Sequence, residues 1–330
     1  MDTIEGTMAL DASTALIKSR SAFIINNDRS SIKKDASQKG RRNVMDNKKI
    51  AILVDSGTDV PPDFVKEHNI FVAPLKIIYK DREYDDRVEI TPDEIYSRLG
   101  TEVPRTSLPD SDNVLALFER IVEEGHDTVV IITISSGLSG THNQLRVQAE
   151  EFGKLKFHMV DTKNIGIGAG LQAMLAARLL KQGDSLETVL EKVMESIKNT
   201  KLYFVLDTLE YLAKGGRIGK VSALLGSILR LRPVISCNAD GIYETVAKAR
   251  GDAQARAEAI AMAVSDAGKH ARFAVAVAHG NAVEAAARVM EELKQKLTRC
   301  EEWISTDVSP ALSVHTGPGL IGIAVQALPA

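Results

Sequence analysis

DTVVIITISSGLSGTHNQ, residues 127–144, reads as a strand, a loop and the opening of a helix. Its first part, DTVVIITIS (127–135), is a short run of mostly β-branched residues, the composition of a strand buried on both faces. Such strands belong to parallel sheets covered by helices. Positions 133–141 then hold three serines, two threonines and two glycines, and a helix is expected from about Ser139 to Phe152. A Gly/Ser loop that opens a helix suits an anion, because the first helical amides lack intrahelical partners and the macrodipole is positive there. Ser135, Ser136, Ser139 and Thr141 each offer a hydroxyl, and Gly137 and Gly140 allow close backbone approach. Capping alone needs only one of these hydroxyls, from Ser136 or Ser139. In open α/β sheets ligands sit beyond the carboxyl ends of strands, where this loop falls. No Gly-Lys-Ser/Thr follows, so the loop is not a Walker phosphate loop. It also lacks the spacing of a GxSxG nucleophile elbow.

Working outward, the chain repeats this alternation. KKIAILVD (48–55) is another buried strand, and PPDFVKEHN (61–69) opens a helix on proline. IFVAPLKIIYKDREYDD (70–86) is extended, with a hairpin turn near Asp81. TPDE (91–94) has capping-box spacing, SDNVLALFERIVEEG (111–125) is amphipathic, and FHMVD (157–161) is a strand. Helices are expected over 166–182 and 185–199, and KLYFVLD (201–207) marks the change to a second domain. There, 208–214 and 218–230 read as helical, and RPVISCNADGIYETVAKARG (232–251) as a hairpin turning at Ala239-Asp240-Gly241. Helices over 252–268 and 281–297 alternate with strands over 272–278, 301–307 and 320–326. The class is α/β.

Composition narrows the function. A net charge of −3 and 5% aromatics argue against a nucleic-acid surface or stacking platform. Two cysteines, Cys237 and Cys300, cannot build a disulfide framework or a cysteine zinc site, and the seven histidines lack metal-ligand spacing. No apolar run reaches membrane-spanning length and no secretory signal is visible, so the expected location is cytoplasmic. Residues 1–47 lack regular periodicity and are expected to form a partly mobile extension, with at most transient membrane-surface contact.

Three further stretches hold candidate chemistry. PRTSLPDS (104–111) uses two prolines to stiffen a loop that presents Thr106 and Ser107. DTLEYLAKGGRIGK (207–220) breaks a helix at Gly215-Gly216 and follows with Arg217, suited to a phosphate or carboxylate. HTGPGLIG (315–322) sets His315 at a Gly/Pro-rich turn before the last strand. GIGAG (166–170) has Leu171 where a dinucleotide fingerprint needs its third glycine, so close helix packing explains it better.

These motifs, with ILVDSGTDVP (52–61), occur in an order that resembles the DegV family of bacterial fatty-acid-binding proteins, over about 48–326. The resemblance implies two α/β domains related to dihydroxyacetone-kinase substrate subunits. A parallel-sheet domain over 48–205, with an inserted hairpin near 74–88, would face a smaller α/β domain over 206–330 across a ligand tunnel. It implies a long-chain fatty acid as ligand, with no other cofactor. Thr106 and the SSGLSG serine, taken as Ser136, would hold the carboxylate, with Ser107, Ser135, Ser139 and Gly140 around them and His315 close by. Arg217 and Arg250 would line a surface for a separate ATP-binding kinase of the dihydroxyacetone-kinase type, which makes the acyl phosphate. No ATP motif is found in this chain, which reads as a ligand-presenting subunit and not an enzyme. GLQAMLAARLL (170–180) and LLGSILRL (224–231) are candidate tunnel walls. The TSLPD loop departs from the TSQPS frequent among relatives, and residues 1–47 lie outside the family pattern.

The chemistry is consistent with that expectation. A carboxylate offers about four acceptor sites and is costly to bury unpaired. Hydroxyls and helix amides satisfy it without a deep counter-ion. At roughly 0.8 kcal/mol per methylene, an acyl tail offers on the order of 10 kcal/mol gross, reduced by association costs. Two alternatives stand beside it. One is another anionic amphiphile or lipid phosphate. The other is a hydrolase using Ser136, with His142 or His315 as base.

Overall fold

A computed structural model describes residues 49–224 and 231–329, all within one compact unit. The expected extension 1–47 and most of LLGSILRL lie outside the described residues.

The apolar runs form the first sheet. Strands β1 (Ile50–Asp55), β2 (Phe71–Ala73), β6 (Thr128–Thr133) and β7 (Lys156–Asp161) lie in the order β2-β1-β6-β7, all parallel. Every residue of β6 is buried. One face packs on α3 (Ser111–Glu123) and α4 (Thr141–Phe152) through Leu53, Phe118, Ile121, Ile131 and Leu145. The other face packs on α5 (Ile167–Gln182). The first helix, α1 (Pro62–Glu67), begins on proline as expected. In α2 (Pro92–Arg98) both halves of the capping box form, with Thr91 and Glu94 bonding each other's backbone amides.

A small antiparallel sheet adds β3 (Lys76–Ile78), β4 (Glu83–Asp85) and β5 (Arg105–Ser107). The expected hairpin is β3–β4. The third strand lies within 104–111, a stretch expected to be a loop. Pairing of Ile77 with Thr106 across β3 and β5 fixes where Thr106 stands.

The second sheet is mixed, in the order β10-β9-β8-β13-β11-β12. It comprises β8 (Thr200–Val205), β9 (Leu231–Cys237), β10 (Tyr243–Arg250), β11 (Phe273–His279), β12 (Glu302–Asp307) and β13 (Ile321–Ala327). Its outer face is covered by α8 (Asp252–Ala267) and α9 (Val283–Lys296) around Phe273, Val275 and Leu293. Its inner face meets α5, which lies between the two sheets. That position explains GIGAG. A Cβ on Gly170 would come 2.4 Å from the Thr58 carbonyl oxygen, and one on Gly168 would come 2.4 Å from Asn164 Oδ1. The remaining helices are α6 (Leu186–Lys198), α7 (Glu210–Lys214) and α10 (Pro310–Thr316). The helix expected over 218–230 is a short 3-10 turn at Gly219–Leu224 in its described part.

Candidate functional site

The loop after β6 is positioned by buried polar bonds. Asp55, at the end of β1, accepts from the Ile134 amide through Oδ2 at 2.8 Å. The Ser135 amide donates to the Asn164 carbonyl at 2.7 Å. Ser135 itself is fully buried, and its hydroxyl accepts from the Gly137 amide at 3.0 Å. The tip of the β9–β10 hairpin lies directly on it. A Cβ on Gly241 would fall 1.9 Å from Ser135 Oγ, and one on Gly137 would fall 2.8 Å from the Asp240 carbonyl oxygen. These bare backbone positions therefore serve the packing of loop on hairpin.

The serines consequently diverge. Ser136 is exposed, its amide donates to Asp161 Oδ1 at 3.2 Å, and its hydroxyl takes a bond from Lys163 Nζ at 3.1 Å. Lys163 also pairs with Asp161 at 2.7 Å. Neither histidine offered as a base for Ser136 is bonded to it. His142 Nδ1 is bonded to Thr133 Oγ1 at 2.9 Å, and His315 Nε2 to Thr106 Oγ1 at 2.7 Å. Ser139 instead lines an internal cavity, its hydroxyl 2.8 Å from that of Thr141. The helix begins at Thr141, two residues later than expected, with exposed Gly140 as its cap beside Leu108.

Thr106 and His315 converge from opposite ends of the chain. His315 lies in the last turn of α10, a short helix where sequence reasoning placed a turn. Desolvation at the cavity wall and the charge of Arg217 push its pKa down to about 4. The ring is therefore neutral at physiological pH. Its Nδ1 rests on Gly215, where a Cβ would come within 2.0 Å. The Gly215-Gly216 break thus has two causes: Gly215 makes room for the imidazole, and Gly216 has φ +70°. Arg217 follows, its Nη1 donating to the Gly215 carbonyl at 2.8 Å. It lines the cavity, as do Thr106, Ser107, Ser139 and His315. Ser135, Ser136, Gly140 and Arg250 do not, and Arg250 is exposed at the end of β10.

Buried acids outside the expected site residues hold the other end of α10. Asp59 Oδ1 accepts from the Ser309 amide at 2.8 Å, and Asp86 Oδ1 from the Ala311 amide at 3.1 Å. Asp86 Oδ2 takes the Ser56 hydroxyl at 2.6 Å. Arg87 bridges Asp59 at 3.5 Å and Asp307 at 3.2 Å. Burial pushes Asp55 and Asp59 up to about 7 and Asp86 to about 6. The available signal was DSGTD at a strand end and DDR after a hairpin, chain positions where polar side chains meet ligands or partner loops.

The cavity encloses about 270 Å³. Thr106, Ser139, His315 and Arg217 contribute polar groups. Apolar lining comes from Leu75, Ile134, Ile165 and Ile167 on one side and Leu202, Phe204 and Leu320 on the other. Of the expected wall 170–180, none is a lining residue; α5 contributes Ile167 instead. No group of three or more potential metal ligands occurs among the described residues, and no described helix is long and apolar enough to cross a membrane.

Comparison with known proteins gives a consistent pattern. A DegV domain-containing protein of Clostridium acetobutylicum is 39% identical over 280 residues, covering 84% of this chain and 98% of that one. The structure of a fatty-acid-binding DegV family protein from Thermus thermophilus matches at TM-score 0.80 and 31% identity, covering 85% of this chain and 100% of that one. That of a stearic-acid-binding protein from Eubacterium ventriosum matches at TM-score 0.77 and 26% identity, covering 84% and 98%. The model of the DegV family, a family described as uncharacterised, matches residues 49–328, and the chain belongs to that family.

Proposed function

We propose that the protein binds a long-chain fatty acid in this cavity and presents its carboxylate to a second protein. The observation that carries the reading is a mostly apolar cavity with uncharged donors gathered on its wall. Solved relatives described as binding fatty acid, one of them stearic acid, support the ligand class.

The geometry suggests how the head group is held. In the Nε2–H tautomer of the neutral ring, His315 donates to Thr106 Oγ1, and the Thr106 hydroxyl proton is then free for a carboxylate oxygen. Ser139 supplies a second hydroxyl. The head-group serine is thus assigned to Ser139 in place of Ser136, whose hydroxyl points to Lys163. Arg217 lies near enough to act on His315 electrostatically, and it places positive charge on the wall that would hold the carboxylate. The consuming partner is an ATP-dependent kinase of the dihydroxyacetone-kinase type that forms an acyl phosphate. Arg217 and the exposed Arg250 face that step. The protein is then a carrier of two domains, one on each large sheet; β8 (Thr200–Val205) belongs to the second sheet, so the boundary falls before Thr200 and not at 205 as expected.

The test is denaturing mass spectrometry of an organic extract of purified protein. One equivalent of myristate, palmitate or a longer acid is the expected result. An empty extract, with no thermal stabilisation on adding these acids, overturns the reading in favour of another anionic amphiphile.

A further inference from the structure

Among the residues around the cavity is one acid. Asp59 lines it with a side chain that is 0% exposed to solvent. Its two oxygens differ. Oδ1 accepts from the Ser309 amide at 2.8 Å and lies 3.5 Å from Arg87 Nη2. Oδ2 is buried and has no hydrogen-bond partner among the described residues. It lies beside Gly166, another lining residue, where a Cβ would come within 3.0 Å of it. A buried polar atom without a partner carries the cost of its lost hydration. A plain hydrocarbon tail laid along this wall leaves that cost in place.

We propose that the cavity is selective for an acyl chain bearing a hydroxyl part-way along its length, with that hydroxyl bonded to Asp59 Oδ2. The proposal rests on the fatty-acid reading above and adds a second polar contact to it. A hydroxyl both donates and accepts, so it matches either form of the carboxyl. That property matters here, because burial raises Asp59 to about 7 and both forms are present at neutral pH. A keto group would match only the protonated acid, and an ammonium only the carboxylate.

The fold also sets the position of the hydroxyl. Ser309, which anchors Asp59, caps α10 at its start, and His315 lies six residues later on the same helix. A rise of about 1.5 Å per residue separates them by about 9 Å along the axis. With bonds of about 1.5 Å, a zigzag chain advances roughly 1.3 Å per carbon. The hydroxyl therefore belongs in the middle of a stearate-length chain and not beside its carboxylate.

The experiment titrates the delipidated full-length protein with stearate, 2-hydroxystearate, 10-hydroxystearate and 12-hydroxystearate by calorimetry at pH 7. A mid-chain isomer is expected to bind about tenfold tighter than stearate, with no gain for the 2-hydroxy acid. Stearate binding as tightly as both mid-chain isomers overturns the proposal and leaves the fatty-acid reading standing. Absence of binding by all four overturns both. In Asp59→Ala the ratio of mid-chain isomer to stearate is expected to fall to about one, a quantity from which any general loss of affinity cancels. A ratio that survives in a folded Asp59→Ala protein removes Asp59 from the contact. If that variant does not fold, the wild-type series still decides.

Discussion

Gly215→Ala tests how His315 is held. Gly215 caps α7 with φ −80° and ψ −3°, a conformation alanine adopts without strain. The obstacle is the imidazole. The new Cβ would lie 2.0 Å from His315 Nδ1 and 2.6 Å from Cε1. Non-bonded contact needs about 3.5 Å, so the ring must retreat by roughly 1.5 Å. The Thr106–His315 bond, 2.7 Å long, does not survive such a shift if the ring moves away from Thr106. Overpacking costs about 1–3 kcal/mol and the lost bond about 1 kcal/mol, giving roughly 2–4 kcal/mol. With His315→Ala already in place, the clash with the ring is gone, and only the tight 3.2 Å approach to the Tyr211 carbonyl oxygen remains. Alanine at 215 should then be near neutral, because about 0.5 kcal/mol gained through reduced unfolded-chain entropy is offset by the close Tyr211 carbonyl. The assay is urea denaturation of the wild type, both single variants and the double variant. A coupling energy of about 2–4 kcal/mol is expected, with the double variant more stable than the sum of the singles predicts. Coupling within about 0.5 kcal/mol of zero would refute the contact as the reason for glycine at 215. Fatty-acid affinity should fall in Gly215→Ala and should not be restored in the double variant, which lacks the imidazole altogether.

Further predictions address the head group and the buried acids. Ser139→Ala and Thr106→Val should each weaken fatty-acid binding by about 1–3 kcal/mol, whereas Ser136→Ala should leave it unchanged; a loss confined to Ser136→Ala in calorimetry would return the head group to the outer serine. Arg217→Ala should raise the His315 pKa, because it removes a neighbouring positive charge, yet leave it below the ordinary 6.5, because desolvation remains the larger cause. An unchanged His315 titration by NMR would place the Arg217 charge elsewhere. Asp55, Asp59 and Asp86 have folded pKa values above the ordinary 3.8, so the folded state keeps protons that the unfolded chain has released. Their contribution favours folding below about pH 4 and is lost as pH rises through 6 to 7. His315 acts oppositely: its folded value of about 4 lies below 6.5, so its contribution is present above pH 6.5 and lost as pH falls toward 4. Asp59→Asn should therefore flatten the decline in urea stability between about pH 4 and 7. A profile identical to wild type would mean that Asp59 ionises in the fold as it does in the unfolded chain.

Much of this protein could be read from local sequence. The strands 50–55 and 128–133, the capping box at Thr91–Glu94 and the hairpin turning at Asp240-Gly241 follow from hydrophobic runs, caps and turn residues, which act over a few residues. The order of motifs identified the family for the same reason, since each motif is a local signature. The choice among the hydroxyls of SSGLSGT was not legible. Asp161 and Lys163 hold Ser136 outward, and Gly241, more than a hundred residues away, covers Ser135. Ser139 is left facing the cavity. The role of Asp59 was equally hidden, because its amide partner at Ser309 is 250 residues distant. Periodicity determines which face of an element is apolar. Which polar group remains inside, and beside what, is decided only when two sheets and the helix between them close on one another, because burial and hydrogen-bond pairing are properties of the assembled neighbourhood.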